Sequence, residues 1–156
     1  MVTLRIERGE TRVVSQRGNE PADTIVLAIG YAAPGQLSLR HEPPTPVELE
    51  NAIAVIEDAV MPLSKRLPRP SELVGSGRAI EAIAAAAGQA GHGNVRVALD
   101  EVERLFQQLA AVSEGRPAAS GGVPSGADFA ATLLILREFM HHLGFDSITI
   151  AVQPPG

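Results

Sequence analysis

The sequence predicts one layered α/β domain with a mixed five-stranded sheet and elements in the order β-β-β-α-β-α-α-α-β. Short segments of alternating or β-branched apolar residues indicate the strands, and longer segments with apolar residues at helical spacing indicate the helices. The 156 residues, 45% of them hydrophobic, suit a single domain, residues 1–156, with a sizeable core. Helices that join neighbouring strands imply that the helices pack on the sheet.

A three-strand unit is expected over residues 1–31. In the run VTLRI, alternate residues are apolar, and Gly9 and Glu10 predict a reversal into the second strand, TRVVSQ. A loop rich in turn-forming residues follows. The continuous apolar run TIVLAIGY is then typical of a strand that is covered on both faces.

A helix is predicted over residues 45–66. Thr45 is a suitable N-cap, Pro46 suits the first helical position, and Glu48 stands where a capping box needs an acidic side chain. Apolar residues then recur at helical spacing. Pro62 is expected to kink or end this helix, because proline lacks the N–H that a helix interior needs.

A short strand, a Gly-Ser-Gly turn and an alanine-rich helix are predicted over residues 72–89. Two amphipathic helices and a final strand follow within residues 98–152. Ser125 and Asp128 are the expected caps of the second of these helices, and Gly144 is its expected C-terminal stop.

Composition and charge restrict the function. The net charge of −5 argues against broad attraction to nucleic acid or to an anionic membrane, and five aromatic residues offer little surface for base stacking. The absence of cysteine excludes disulfides and thiolate zinc sites. The run TIVLAIG is too short to span a bilayer, and no signal peptide is recognisable. We expect a cytoplasmic protein without nucleic-acid or membrane partners.

The Gly-Ser-Gly turn is the best binding candidate. Gly75 and Gly77 let a backbone approach a ligand, and the N–H groups that open the following helix point towards an anion. Ser76 would add a hydroxyl, and Arg78 a bidentate clamp on phosphate. The alternative is a tight strand-to-helix connection in which the glycines serve only their backbone angles.

The remaining polar residues carry weaker signals. Arg78 and Arg116 would together form a small cationic pocket, while Glu81, one turn after Arg78, suits a surface ion pair. Asp128 is better explained as a helix cap than as an acid. Because no Ser-His-Asp set or carboxylate pair is recognisable from spacing, no catalytic residue is assigned.

The histidines predict no metal site. His141 and His142 fall at a helix C-terminus, where the dipole favours protonated imidazole. Adjacent helical residues point about 100° apart, so the two rings are poorly placed to share an ion. His41 and His92 have no acidic or histidine neighbours at ligand spacing and receive no role.

Three segments carry a resemblance to a known family. EPPTPVELENAIAVIEDAVMPL resembles its Pro-Pro-Thr-led helix, ELVGSGRAIEAIAAAAG its loop before a helix, and GADFAATLLILREFMHHLGFDSITIA its Arg-Ala-Asp-led helix with the strand that follows. They occur in the same order, over about residues 41–152. The chain thus resembles the second half-domain of the exopolyphosphatase and guanosine-pentaphosphate phosphatase (Ppx/GppA) family. The implied fold is the ribonuclease H-like half-domain of the actin, sugar-kinase and heat-shock ATPase superfamily.

Departures from the family pattern bear on function. The resemblance implies that the catalytic glutamate and further phosphate contacts belong to a first half-domain, and that a Gly-Gly-Gly-Ser turn precedes the first strand; neither is expected within these residues. Gly126 stands where the family has arginine, and Thr132 where a helix glycine is expected. The phosphate loop is reduced to Gly75-Ser76-Gly77-Arg78. A non-catalytic or partner-dependent protein is therefore expected.

Three functions stay open from the sequence. The first is a module that binds phosphate, polyphosphate or the phosphates of a nucleotide at the Gly-Ser-Gly loop. The second is an exopolyphosphatase-type phosphohydrolase that is completed by a homodimer partner or a separately encoded first half-domain, with Mg²⁺ as its cofactor. The third is a protein-interaction module without a ligand, whose apolar face would associate with another protein.

Overall fold

The structure, a computed structural model, describes residues 1–69, 71–89, 91–116, 123–124 and 126–154. The strands are β1 Val2–Ile6, β2 Thr11–Ser15, β3 Asp23–Leu27, β4 Leu73–Ser76, β5 Gly93–Ala98 and β6 Ser147–Val152. The helices are α1 Pro46–Val60, α2 Arg78–Ala86, α3 Leu99–Ser113 and α4 Ala127–Leu143, with a 3₁₀ turn at Met61–Lys65.

One mixed sheet holds these strands in the order β3-β2-β1-β4-β6-β5. β4 pairs in parallel with both β1 and β6, whereas the remaining neighbours are antiparallel. The inward face buries alternate side chains of β1, β4 and β6, among them Leu4, Leu73 and Ile150. The opposite face carries exposed or half-buried residues such as Arg5 and Arg12. One face of the sheet is therefore packed into the core, and the other, called the open face below, is more exposed.

The fold class that the sequence predicts is confirmed, but the described residues form a sheet of six strands and not five. The additional strand is β5, which pairs along its length with β6. β5 lies at the edge of the sheet, and Val97 is its one fully buried side chain. Val95 and Val97 are the two large apolar residues that alternate in this strand. A pattern of two residues is too short to predict a strand from the sequence.

The third strand is also an edge strand, so the expectation that it is covered on both faces is wrong. Ile25 and Leu27 are buried, but Val26 between them is 51% exposed. The strand ends at Leu27, and the next apolar residue, Ile29, enters the core from the connection that follows. The apolar run TIVLAIGY is therefore part strand and part loop: the strand ends at Leu27, and Ile29 is a buried residue of the loop.

The capping box of α1 is confirmed. The N–H of Glu48 donates to the Thr45 hydroxyl at 3.2 Å, and the Glu48 carboxylate accepts from the Thr45 N–H at 2.9 Å. The other carboxylate oxygen accepts from the Arg40 N–H at 2.9 Å and lies 3.1 Å from His41 Nδ1. Pro62 is the second residue of the 3₁₀ turn Met61–Lys65 in which the helix ends, as the sequence predicts.

These donors make Glu48 a source of pH-dependent stability. The Thr45 amide, followed by the Arg40 amide and His41, lowers the pKa of Glu48 from 4.5 to about 2. Because the unfolded chain takes up this proton at higher pH, the contribution is complete above about pH 4.5 and is lost as the pH falls towards 2. We expect Glu48→Gln to lower the free energy of unfolding at pH 7 and to flatten its acid dependence in urea titrations.

The exposed residue Glu50 on the same helix provides the control. Glu50→Gln is expected to leave the acid dependence of unfolding unchanged, because the side chain is exposed. An acid dependence of Glu48→Gln equal to that of the unmodified protein would contradict this assignment.

Helix α4 is the central helix of the fold. It packs against α1, α2 and α3 and is buried on almost all sides. Gly144 ends it in the left-handed conformation, with a φ of 76°, which confirms the predicted stop. Among the described residues, no helix is long and apolar enough to cross a membrane.

The start of α4 differs from the prediction. Ser125 lies outside the described residues. Asp128, the second predicted cap, accepts a hydrogen bond from the Ala33 N–H at 3.2 Å, and the Ala127 N–H donates to the Glu42 carboxylate at 3.1 Å. Contacts from the loop after β3 therefore position this helix end, which local sequence spacing cannot indicate.

Candidate functional site

The turn between β1 and β2 is held in place by the segment that follows β3. The Tyr31 N–H donates to the Glu7 carbonyl and the Ala32 N–H to the Arg8 carbonyl, both at 2.9 Å. A Cβ at Gly30 would overlap the Arg8 carbonyl oxygen and lie 2.5 Å from that of Glu7. Only glycine permits this close approach of two backbones.

A cleft of about 780 Å³ opens between this turn and the start of α2. Four arginines and two glutamates line it: Arg5, Arg8, Arg12 and Arg78, and Glu7 and Glu10. The excess of positive charge is local, because the whole chain carries a net charge of −5. A concave site with this charge favours anionic ligands over cationic ones.

Strand register arranges part of this charge in a row. Arg5 of β1 lies opposite Arg12 of β2 on one side and Ser76 of β4 on the other. The row lies on the open face of the sheet, at the end where β1 and β4 lead into the cleft. Residues from three separate strands, two arginines and a serine, therefore form one row on the same face of the sheet.

The glutamates of the cleft pair with two of the arginines. Arg12 lies 2.8 Å from Glu10, and Arg5 lies 3.7 Å from Glu7. All four side chains are close to half exposed, and ion pairs at such positions contribute only about 0–1 kcal/mol. A more highly charged anion can therefore displace these carboxylates at small cost.

Arg8 and Arg78 are the two most available cations of the cleft. Arg8 lies over the Tyr31 ring, 6.0 Å from its centre, at the border of a cation–π contact. Arg78 is exposed at the first position of α2. Within the part of the chain that the structure describes, neither forms an ion pair with a carboxylate.

Gly77 connects β4 to α2 at the cleft wall. It is the N-cap of α2, with a φ of 104°, and it lines the cleft together with Arg78. This backbone conformation favours glycine, and no side chain caps the helix. The N–H groups of the first helical turn have no partners within the helix, so they add partial positive charge at this wall.

Gly75 lies elsewhere. It is buried within the sheet between Leu4 and Ile150, and a Cβ there would lie 2.8 Å from Ile148 Cδ1 and 3.1 Å from Ile80. Its missing side chain lets α2 pack closely on β4. Of the four predicted binding residues, Gly77 and Arg78 line the cleft, Ser76 borders it through its register with Arg5, and Gly75 does not reach it.

A smaller cleft of about 220 Å³ adjoins the first one. It shares Tyr31 and Arg78 with the larger cleft and continues towards the start of α4, where Asp128, Phe129 and Thr132 line it. An apolar ring, a hydroxyl-bearing side chain and a carboxylate therefore stand beside the cationic wall. The two clefts together could receive a ligand that has both a charged and an uncharged part.

Two expected partners of Arg78 lie apart from it. The Glu81 carboxylate accepts a hydrogen bond from the Gln153 N–H at 2.7 Å, so it faces the end of β6. Arg116 is an exposed residue after α3 and does not line the cleft. The prediction of a cationic pocket formed by Arg78 and Arg116 is therefore wrong. The positively charged residues that line the cleft with Arg78 come from the β1–β2 hairpin.

The site predicted from the sequence does not include the hairpin turn or Tyr31. The reversal itself was predicted and is confirmed by the antiparallel pairing of β1 and β2. The available signal was the repetition of arginine in LRIERGETR, which places Arg5, Arg8 and Arg12 around one turn. The approach of Tyr31 depends on a fold-level contact that the sequence does not display.

Comparison with known proteins gives a structural match only. No protein-family model and no curated protein sequence matches the chain. Among solved structures, the Aquifex aeolicus PPX-GPPA enzyme superposes with a TM-score of 0.73 at 17% identity, covering 98% of this chain and 53% of that one. An exopolyphosphatase from Cytophaga hutchinsonii gives a TM-score of 0.70 at 17% identity, with 97% and 52% covered.

A third structure, of an exopolyphosphatase-like protein, gives a TM-score of 0.71 at 13% identity, with 97% of this chain and 55% of that one covered. The chain thus spans about half the length of the solved structures it resembles. The six strands and four helices of the described residues follow the fold of those proteins over about half of their length. This chain therefore has the fold of a Ppx/GppA half-domain.

Proposed function

We propose that the chain is a phosphate-binding half-domain of the Ppx/GppA type, which does not catalyse a reaction on its own. Its ligand is a phosphate, a polyphosphate or the phosphates of a nucleotide. The observation that carries the proposal is the cleft between the β1–β2 turn and α2, whose lining has four arginines against two glutamates.

Each wall of the cleft has a distinct part in binding. At one wall, the Arg78 guanidinium presents a fork of donors to a phosphate oxygen pair, next to the N-terminus of α2. At the other, Arg8 approaches from the hairpin turn. Arg5 and Arg12 lie between the open sheet face and the cleft, where they can follow a chain of phosphates.

Isothermal titration calorimetry tests this proposal with orthophosphate, pyrophosphate and tripolyphosphate. We expect tripolyphosphate to bind most tightly, because several charges then meet several arginines, and we expect the affinity to fall as salt rises. The absence of saturable binding at millimolar tripolyphosphate in low salt would contradict the proposal.

The alternative is an exopolyphosphatase-type hydrolase that a second lobe completes, either another copy of this chain or a separate first half-domain. It is favoured by the described fold, since the chain matches about half of an exopolyphosphatase. Phosphate release from tripolyphosphate in the presence of Mg²⁺ separates the two. Release by the purified chain, lost when Arg78 is replaced by alanine, would support the hydrolase and overturn the non-catalytic proposal.

A further inference from the structure

A second cluster of polar side chains lies between α1 and α4, away from the cleft. Glu57 of α1 and Glu138 and His142 of α4 have donor atoms that all lie within 4.8 Å of one another. Glu138 and His142 are four residues apart and so share one side of α4. The sequence predicts no metal site at His142, because its neighbour His141 points in another direction. In the structure, the residues close to His142 are Glu138, one turn earlier in α4, and Glu57 of α1.

The distances in this cluster differ from those of strong ion pairs. His142 Nε2 lies 3.2 Å from Glu138 Oε1 and 3.5 Å from Glu57 Oε1, whereas charge-assisted N–H···O bonds are about 2.7–2.9 Å. Nitrogen and oxygen ligands about 2.0–2.1 Å from a tetrahedral zinc ion are about 3.3 Å apart. The two contacts to Nε2 therefore have the spacing of neighbouring metal ligands.

Negatively charged groups outnumber positively charged ones around the cluster, which favours the binding of a cation. Arg137 donates to Glu138 Oε2 at 2.7 Å and to Glu103 at 2.8 Å, so one guanidinium serves two carboxylates. Glu57 adds a third negative charge beside Glu138. Glu138 is 2% exposed, so solvent screens the charges around it little. A proton on Nε2 can at most be shared between the two carboxylates in a bifurcated hydrogen bond, whereas a metal ion can bond to both carboxylates and to the imidazole nitrogen.

We propose that Glu57, Glu138 and His142 bind a divalent transition-metal ion of the zinc type. One imidazole nitrogen and two carboxylate oxygens suit such an ion, whereas magnesium and calcium prefer oxygen ligands alone. Residue 138 is ten residues beyond Asp128 of the smaller cleft, about 15 Å along the helix. The ion therefore acts on the packing of α1 against α4 and is independent of the proposed phosphate site.

Zinc titration of the tag-free protein, followed by calorimetry and by thermal melting, tests this site. We expect one ion per chain and a higher melting temperature with Zn²⁺, because an ion that binds only the folded state stabilises it. Co²⁺ in place of Zn²⁺ is expected to give visible absorption from a nitrogen–oxygen ligand set. Glu57→Gln, at the more exposed position, is expected to weaken binding about tenfold or more, and His142→Ala to abolish it.

His141→Ala is the matched control, since His141 is the exposed neighbour of His142. It is expected to retain the Zn²⁺ affinity and the rise in melting temperature of the unmodified protein. If the unmodified protein shows no saturable binding, the cluster is an ion-pair network only and the proposal fails. It fails equally if binding persists undiminished in both Glu57→Gln and His142→Ala.

Discussion

Replacing Gly30 by alanine is expected to lower the free energy of unfolding by about 3 kcal/mol, the upper end of the usual cost of overpacking. The added Cβ would overlap the Arg8 carbonyl oxygen and crowd that of Glu7, and these backbone atoms cannot swing aside as a side-chain end can. Relief requires the hairpin turn to move away from the segment that holds Tyr31. Urea titration measures the loss as a shift of the midpoint at unchanged slope.

Gly9→Ala is the matched control, because it makes the same change in the hairpin turn that Gly30 contacts. A Cβ at Gly9 has Gln36 Nε2 as its nearest contact, at 3.9 Å, which is ordinary van der Waals separation. We expect Gly9→Ala to change the unfolding free energy by less than about 1 kcal/mol. If Gly30→Ala and Gly9→Ala are equally stable, the backbone at Gly30 does not lie against Arg8 as described. The position of the hairpin turn as one wall of the cleft would then be wrong too.

Removing Arg8 and Arg78 together is expected to weaken tripolyphosphate binding at least about a hundredfold. A hydrogen bond from a charged group contributes about 1.5–3 kcal/mol, which corresponds to about tenfold or more in affinity for each arginine. Both side chains are at the surface, so the double variant Arg8→Ala/Arg78→Ala should keep the stability of the unmodified protein. Calorimetry at one fixed salt concentration measures the loss.

Arg104→Ala provides the comparison, because Arg104 is an exposed arginine of α3 that lines neither cleft. It removes one positive charge from the protein but none from the proposed site. The affinity of Arg104→Ala is expected to stay within about twofold of the unmodified protein. If Arg104→Ala loses as much affinity as Arg8→Ala or Arg78→Ala alone, tripolyphosphate binding depends on the net charge of the protein and not on this cleft.

Local signals in the sequence were sufficient for the elements that depend on neighbouring residues. The Thr45–Glu48 box and the stop at Gly144 are backbone requirements met within a few positions, and both are confirmed. Strand β5 was missed because its edge position leaves only Val95 and Val97 to mark it. A strand with one exposed face and one free edge has little apolar pattern to display.

The candidate site was only partly predictable, because one of its walls depends on contacts between segments that are distant in the sequence. Gly77 and Arg78 were identified because a strand, a glycine turn and a helix follow one another in the chain. The opposite wall depends on Gly30 crossing the hairpin turn, a contact between segments about twenty residues apart. The separation is larger still for Glu57 and His142, which meet only because α1 packs on α4.

A ¹⁵N-labelled NMR titration with tripolyphosphate is the most direct test of phosphate binding in the cleft. We expect the largest backbone amide shifts in residues 7–10 and 77–79, the two facing walls of the cleft. We also expect these shifts to disappear in the Arg8→Ala/Arg78→Ala variant. A different cleft lies at the C-terminal end of α4, where Arg69 and Arg96 line it. Shifts centred on that cleft, or no shifts at millimolar ligand, would contradict phosphate binding between the hairpin turn and α2.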